Sequence, residues 1–105
     1  MQENYNYKPK ELTIAGTKFD IVYKPMKDFG ELDFDKRKIY ISNKIKGEFL
    51  LDTIIHEAVH AMLFFSGLGY ILEDVHSGLE EALVRAFDNI AIPLVKGQIK
   101  EFYSI

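Results

Sequence analysis

The sequence predicts an α+β fold: a small sheet of three to four strands, mixed or antiparallel, packed on two main helices. Three observations lead there. The first half carries β-branched and aromatic residues in short alternating runs, separated by Gly, Pro and charged turns. Residues 47–65 then form a run of helical length that is apolar on nearly all sides, as a buried central helix is. A second stretch with helical spacing runs from about Ser77 to Ala91. At 105 residues and ordinary globular composition the chain reads as one domain, with a flexible lead-in at 1–10 and a tail at 96–105.

In chain order, Leu12–Tyr23 has strand-forming residues on both sides of a Gly16-Thr17 turn, so a hairpin is expected. Pro25 ends its second strand. Asp28-Phe29-Gly30-Glu31 reads as a turn, and Leu32 and Phe34 alternate with acidic residues. Lys38–Ser42 is a short strand after a charged turn, which suggests a sheet edge. Ser66-Gly67 closes the central helix, and Leu68–His76 is a connector. In the second helix Leu79, Leu83, Ala86, Phe87, Ile90 and Leu94 form the apolar stripe, and Pro93 ends or kinks it. The tail fits a helix or a strand equally.

Within the central helix stands His56-Glu57-x-x-His60. Side chains four apart on a helix lie on one face, one turn above each other, so both imidazoles can reach a single ion. Neutral imidazoles suit Zn²⁺ and leave a coordination position open, and the carboxylate of Glu57 can take a proton from a water there. Three ionisable side chains in so apolar a helix are costly unless paired, hydrogen-bonded or metal-bound. The plain alternative is two satisfied histidines and a buried salt bridge.

A catalytic zinc takes three protein ligands. The chain has no cysteine, so the third is expected among Glu73, Asp74, His76, Glu80, Glu81 and Asp88. With about 100° per residue and the apolar stripe facing the central helix, Glu80 lies on the flank of the stripe and Glu81 almost opposite it. Glu80 is therefore the expected ligand, although Ser77-Gly78-Leu79-Glu80 also fits a capping box. Glu81 and His76 are the other candidate ligands. His76, Tyr70 and Tyr40 are also candidate donors to a reaction's oxyanion.

These residues resemble the small zincin-like metallopeptidases of bacteriophages and prophages, close to the ImmA/IrrE group. The likeness lies in strands first, then Thr53-Ile54-Ile55-His56-Glu57-Ala58-Val59-His60-Ala61, then a helix led by Glu. In that group the second helix reads roughly E-x-x-A-N-x-F-A-x-x-L-L-M-P, and its leading Glu is a zinc ligand. Laid on Glu80, the pattern meets Ala86-Phe87, Ile90-Ala91 and Pro93; laid on Glu81, it puts Asp88 at a core position and misses the proline. Val84 stands where the group often has Asn or Asp, which leaves Asp52 or Asp88 to support a ligand histidine. The resemblance implies zinc held by His56, His60 and Glu80, Glu57 as the catalytic base, and hydrolysis of peptide bonds in a protein substrate. It also implies an edge strand that pairs with the substrate, expected at Ile39-Tyr40-Ile41.

Composition narrows partners. Without cysteine there are no disulfides or thiolate sites, which fits a reducing compartment. Met1–Lys10 has no apolar core of a signal peptide, and no run is long enough to span a membrane, so a cytoplasmic location is expected. Net charge is −3, divided between residues 1–46 with ten Lys/Arg against seven Asp/Glu and residues 47–105 with three against nine. No basic stripe interleaves with aromatics, so nucleic acid is not an expected partner. Oligomeric state stays open; Phe64, Phe65 and Leu68 are core or a dimer contact. Two rivals to the peptidase stand beside it: a metal-binding interaction module without proteolysis, and a metal-free structural protein.

Overall fold

The structure, a computed structural model, describes residues 5–66 and 78–103, with backbone only for 99–103. Among the described residues, four strands precede the helices: β1 (Glu11–Ile14), β2 (Thr17–Lys24), β3 (Gly30–Asp33) and β4 (Lys38–Ser42). The β1–β2 hairpin turns on Ala15-Gly16, one residue earlier than expected. Both have positive φ, 50° and 77°, the mirror-image turn whose twist matches two right-twisted strands. The lead-in is held at its end: Ile21 N–H donates to Lys10 O (2.9 Å) and Tyr23 Oη to Pro9 O (2.6 Å).

The four strands form one mixed sheet in the order β1-β2-β4-β3, with β2 and β4 parallel and the outer pairs antiparallel. This corrects the edge assignment. Ile39-Tyr40-Ile41 lies inside the sheet with Ile39 and Ile41 fully buried, and the edges are β1 and β3, the latter in residues expected partly as a turn. Shortness misled here, because a five-residue strand can pair on both sides as well as on one.

Helix α1 (Gly47–Phe65) has the expected bounds. Its end is satisfied by Ser66, whose N–H bonds Met62 O and whose hydroxyl donates to Leu63 O (2.9 Å). Its apolar girth has a partner on two sides. Ile14, Phe19, Ile21, Ile39 and Ile41 of the sheet meet Leu50, Ile54 and Ala61. On another side Val59 and Leu63 meet Val84 of α2 (Leu79–Ala86). Phe64 and Phe65 pack on Phe34, with ring centroids 5.0 Å apart in each pair, and Arg37 lies over Phe34 at 4.4 Å.

A π-helical turn (Phe87–Ala91) links α2 to α3 (Ile92–Tyr103). Pro93 therefore does not end the helix. It occupies the first turn of α3, where a missing N–H costs least, and the tail continues as helix to Tyr103. The expected stripe of α2 packs on α1 only in part: Leu83 and Phe87 lie half-buried against Val59, Leu63 and Val84. Val84 is fully buried, whereas Leu79, Ile90 and Leu94 are exposed, the last two by 68% and 62%. Gly78 begins α2 with no side-chain cap; Ser77, the first residue of the expected capping box, lies outside the described residues.

Candidate metal centre

His56, Glu57 and His60 lie on α1 with their side chains toward α2 and β3. The contacts run in opposite order along the two helices, His60 with Glu80 and His56 with Asp88, so α1 and α2 are antiparallel here. His60 Nδ1 is 2.9 Å from Glu80 Oε1, and His56 Nδ1 is hydrogen-bonded to Asp88 Oδ2. An ionised carboxylate only accepts, so each Nδ1 carries a hydrogen; Nε2 then presents its lone pair in the neutral imidazole and a second hydrogen in the imidazolium. Both Nε2 atoms face Glu81: His56 Nε2 is 3.6 Å from Oε1 and His60 Nε2 is 3.4 Å from Oε2. One ligand atom from each of His56, His60 and Glu81 lies within 4.8 Å of the others, a grouping that can hold a metal ion.

Glu81, rather than the expected Glu80, is thus the third member of the grouping. The expectation turned the apolar stripe of α2 toward α1. The structure instead turns inward the four-residue series Glu80, Val84 and Asp88, because the Nδ1 hydrogens of two half-buried histidines need acceptors there. Glu80 is buried at 8% exposure and is spent on His60. Glu81, one residue on, reaches the Nε2 side. Asp88, not Asp52, is the carboxylate that holds the other histidine; Asp52 pairs with Lys96 of α3 at 2.6 Å. A signal for this was present in the sequence: acidic residues spaced eight apart, opposite two histidines spaced four apart.

Glu57 is buried at 8% exposure beside this grouping. Burial pushes its carboxyl above the ordinary value of 4.5; His56 and His60 pull it back, and Glu81 and Asp88 push it further up. Close against it runs β3. A Cβ added to Gly30 would stand 2.8 Å from Thr53 Cγ2 and 3.1 Å from Glu57 Oε2, so only glycine lets the edge strand approach this near.

Two hollows meet at Gly30, His56 and Glu57. The larger, about 840 Å³, opens past Thr53 toward Phe29, Phe49, Ile92 and Pro93. The smaller, about 350 Å³, opens toward Leu32, Phe64 and Glu81. Together they make a cleft along the edge strand with the grouping at its middle.

Tyr40 does not reach the cleft. Its neighbours Ile39 and Ile41 face α1, so it stands on the opposite face of the sheet, with Lys24 Nζ 4.2 Å from its ring centre. Tyr70, Glu73, Asp74 and His76 lie outside the described residues, as do Gly67 and Leu68.

Comparison with protein-family models, with curated proteins and with solved structures finds no match. Among the described residues no helix is long and apolar enough to cross a membrane.

Proposed function

We propose that the chain is a zinc-dependent peptidase of zincin type, acting on an extended segment of a protein in the cytoplasm, and that His56, His60 and Glu81 hold the ion. One observation carries this reading: three electron-pair donors converge on one point, and both Nδ1 hydrogens are already engaged elsewhere. Such a cluster is relieved by a metal ion between its members or by a proton on an imidazole, and zinc content separates the two. His60 Nε2 lies 3.4 Å from one Glu81 oxygen and His56 Nε2 3.6 Å from the other, near enough for the carboxylate to share one ion with both imidazoles. The donor set, two imidazoles and a carboxylate, suits zinc and leaves a position open.

When bound, the ion supplies Lewis acidity, polarising the scissile carbonyl and acidifying a water. The chain's own residues do the rest. Asp88 and Glu80 fix the tautomer and orientation of the two histidines. Glu57 accepts the proton of the attacking water and delivers it to the leaving amine, so that each turnover returns it to its starting state. Its burial favours that work, because a carboxyl raised above the ordinary value is a stronger base. The outer edge of β3, unpaired among the described residues, offers backbone hydrogen bonds to an extended chain laid along the cleft, the role expected of Ile39–Ile41.

The test pairs zinc content with cleavage. The purified chain should carry about one zinc and cut a denatured-protein substrate mixture. Glu57→Gln should keep the zinc and lose at least about a hundredfold of the activity, the scale of a general base. Zinc retained with no cleavage in either protein would favour the metal-binding interaction module; no zinc even after reloading would remove the metal altogether.

A further inference from the structure

The larger arm of the cleft has a feature that peptide-bond chemistry does not require. Phe29 and Phe49 stand at its wall, 59% and 48% exposed, with their rings edge to face at a centroid distance of 4.8 Å. Large aromatic side chains are seldom left this open in adjacent pairs without an apolar occupant. Their positions tie them to the metal grouping. Phe49 precedes His56 by seven residues on one face of α1, about 10 Å along the axis, which an extended peptide covers in about three residues. Phe29 immediately precedes Gly30, the residue that touches Glu57. Ile92 and Pro93 close the opposite wall. The result is a hollow reaching from Glu57 past Phe29, its lining apolar at Phe29, Phe49, Ile92 and Pro93 and charged at Lys27, Asp28, Glu48, Asp52, Asp88 and Lys96.

We infer that this hollow is a specificity subsite that takes one large apolar side chain, aromatic or long aliphatic, within about three residues of the bond to be cleaved. The inference rests on the peptidase reading for the word "cleaved", but its recognition step does not need catalysis. The β3 edge fixes the peptide backbone, and the Phe29–Phe49 pair selects which side chain enters. The smaller arm, with Leu32 beside Glu31 and Glu81, lacks such a pair and selects less strongly.

Binding tests this without turnover. Two short Ser/Ala peptides, one with a central Phe and one with Ala in its place, are titrated by fluorescence anisotropy into zinc-loaded Glu57→Gln protein. The Phe peptide should bind at least about tenfold more tightly, the discrimination expected of an apolar pocket. Phe29→Ala and Phe49→Ala should each erase most of that difference, whereas Phe29→Leu should keep most of it. Circular dichroism of each variant separates a lost subsite from a lost fold. Equal binding of the two peptides, no binding of either, or a preference untouched by both alanine variants would overturn the inference. So would a dimer in sedimentation that Phe29→Ala dissolves, since a second copy would then be what the pair receives. If the Phe peptide binds as expected but wild-type zinc protein never cuts it, the peptidase reading fails and the subsite stands as part of a binding groove.

Discussion

The two sides of α1 are held by different physics. Toward the sheet, eight buried apolar residues form one cluster, with Phe19, Ile39, Ile41 and Ala61 fully buried. Toward α2 the apolar cluster is smaller among the described residues, Val59, Leu63 and Val84 with half-buried Ile55, Leu83 and Phe87 against them, and Glu80, Asp88 and the two histidines share that side. The first side is stabilised by hydrophobic burial, which needs no ligand. The second also carries charge pairing, with Glu80 and Asp88 on the two histidines and Glu81 close to their Nε2 atoms in a grouping that can hold a metal ion. The difference teaches that the helical half gives up core for chemistry, so its order should follow the metal while the sheet's does not.

The largest expected effect breaks the sheet side. Phe19→Ala removes a fully buried aromatic and should cost about 3–5 kcal/mol in urea unfolding, equally with and without zinc. A cost that vanished on adding zinc would mean the two sides are one energetic unit. Next comes the metal side. Zinc at a hundred times its dissociation constant should stabilise wild type by about 2.7 kcal/mol and slow hydrogen exchange in 79–98 more than in 11–42. Glu81→Gln should lose most of that stabilisation. Glu80→Gln and Asp88→Asn should weaken zinc binding by about 10–100-fold, through the histidines they hold. A greater loss in Glu80→Gln than in Glu81→Gln, read by zinc titration, would restore the ligand set first expected.

A smaller effect belongs to the sheet side and sharpens its independence. Tyr23 is pushed up to about 12 from 10.0, mainly by burial and further by Tyr7. Its neutral form is favoured in the folded protein, so the stability it contributes is full below pH 10 and is lost as pH rises toward about 12. Tyr23→Phe should flatten that alkaline decline in unfolding midpoint, with zinc or without. Least in size is the hairpin. Ala15 holds a φ of 50°, which disfavours a residue with a Cβ. Ala15→Gly should stabilise by about 1 kcal/mol or less, visible as a small rise in melting temperature.

How far the sequence discloses all this follows the same division. The central helix is legible to its bounds, because a run apolar on all sides has few other fates and His56-Glu57-x-x-His60 has one useful geometry. The strands are legible as strands, but not their order. The parallel pairing of β2 with β4 is a long-range contact that alternation cannot reveal, and it turns the apparent edge into an interior strand. The face of α2 is where apolar periodicity misleads. It assigns burial to Leu79, Ile90 and Leu94, whereas the inward positions are chosen by what the histidines need. An amphipathic reading that counts only apolar residues misses a helix whose inner face is partly acidic.

The strand order has a consequence for how the cleft is assembled. β3, β4 and α1 are consecutive in the chain, and between them they supply Gly30, His56, Glu57 and His60. One contiguous ββα segment therefore brings most of the cleft together through short loops, the connections a chain closes fastest. The carboxylates at 80, 81 and 88 come from the later part of the chain. During refolding the edge strand and the helix that carries His56 and His60 should meet early, and the grouping with Glu81 should be completed as a separate, later event.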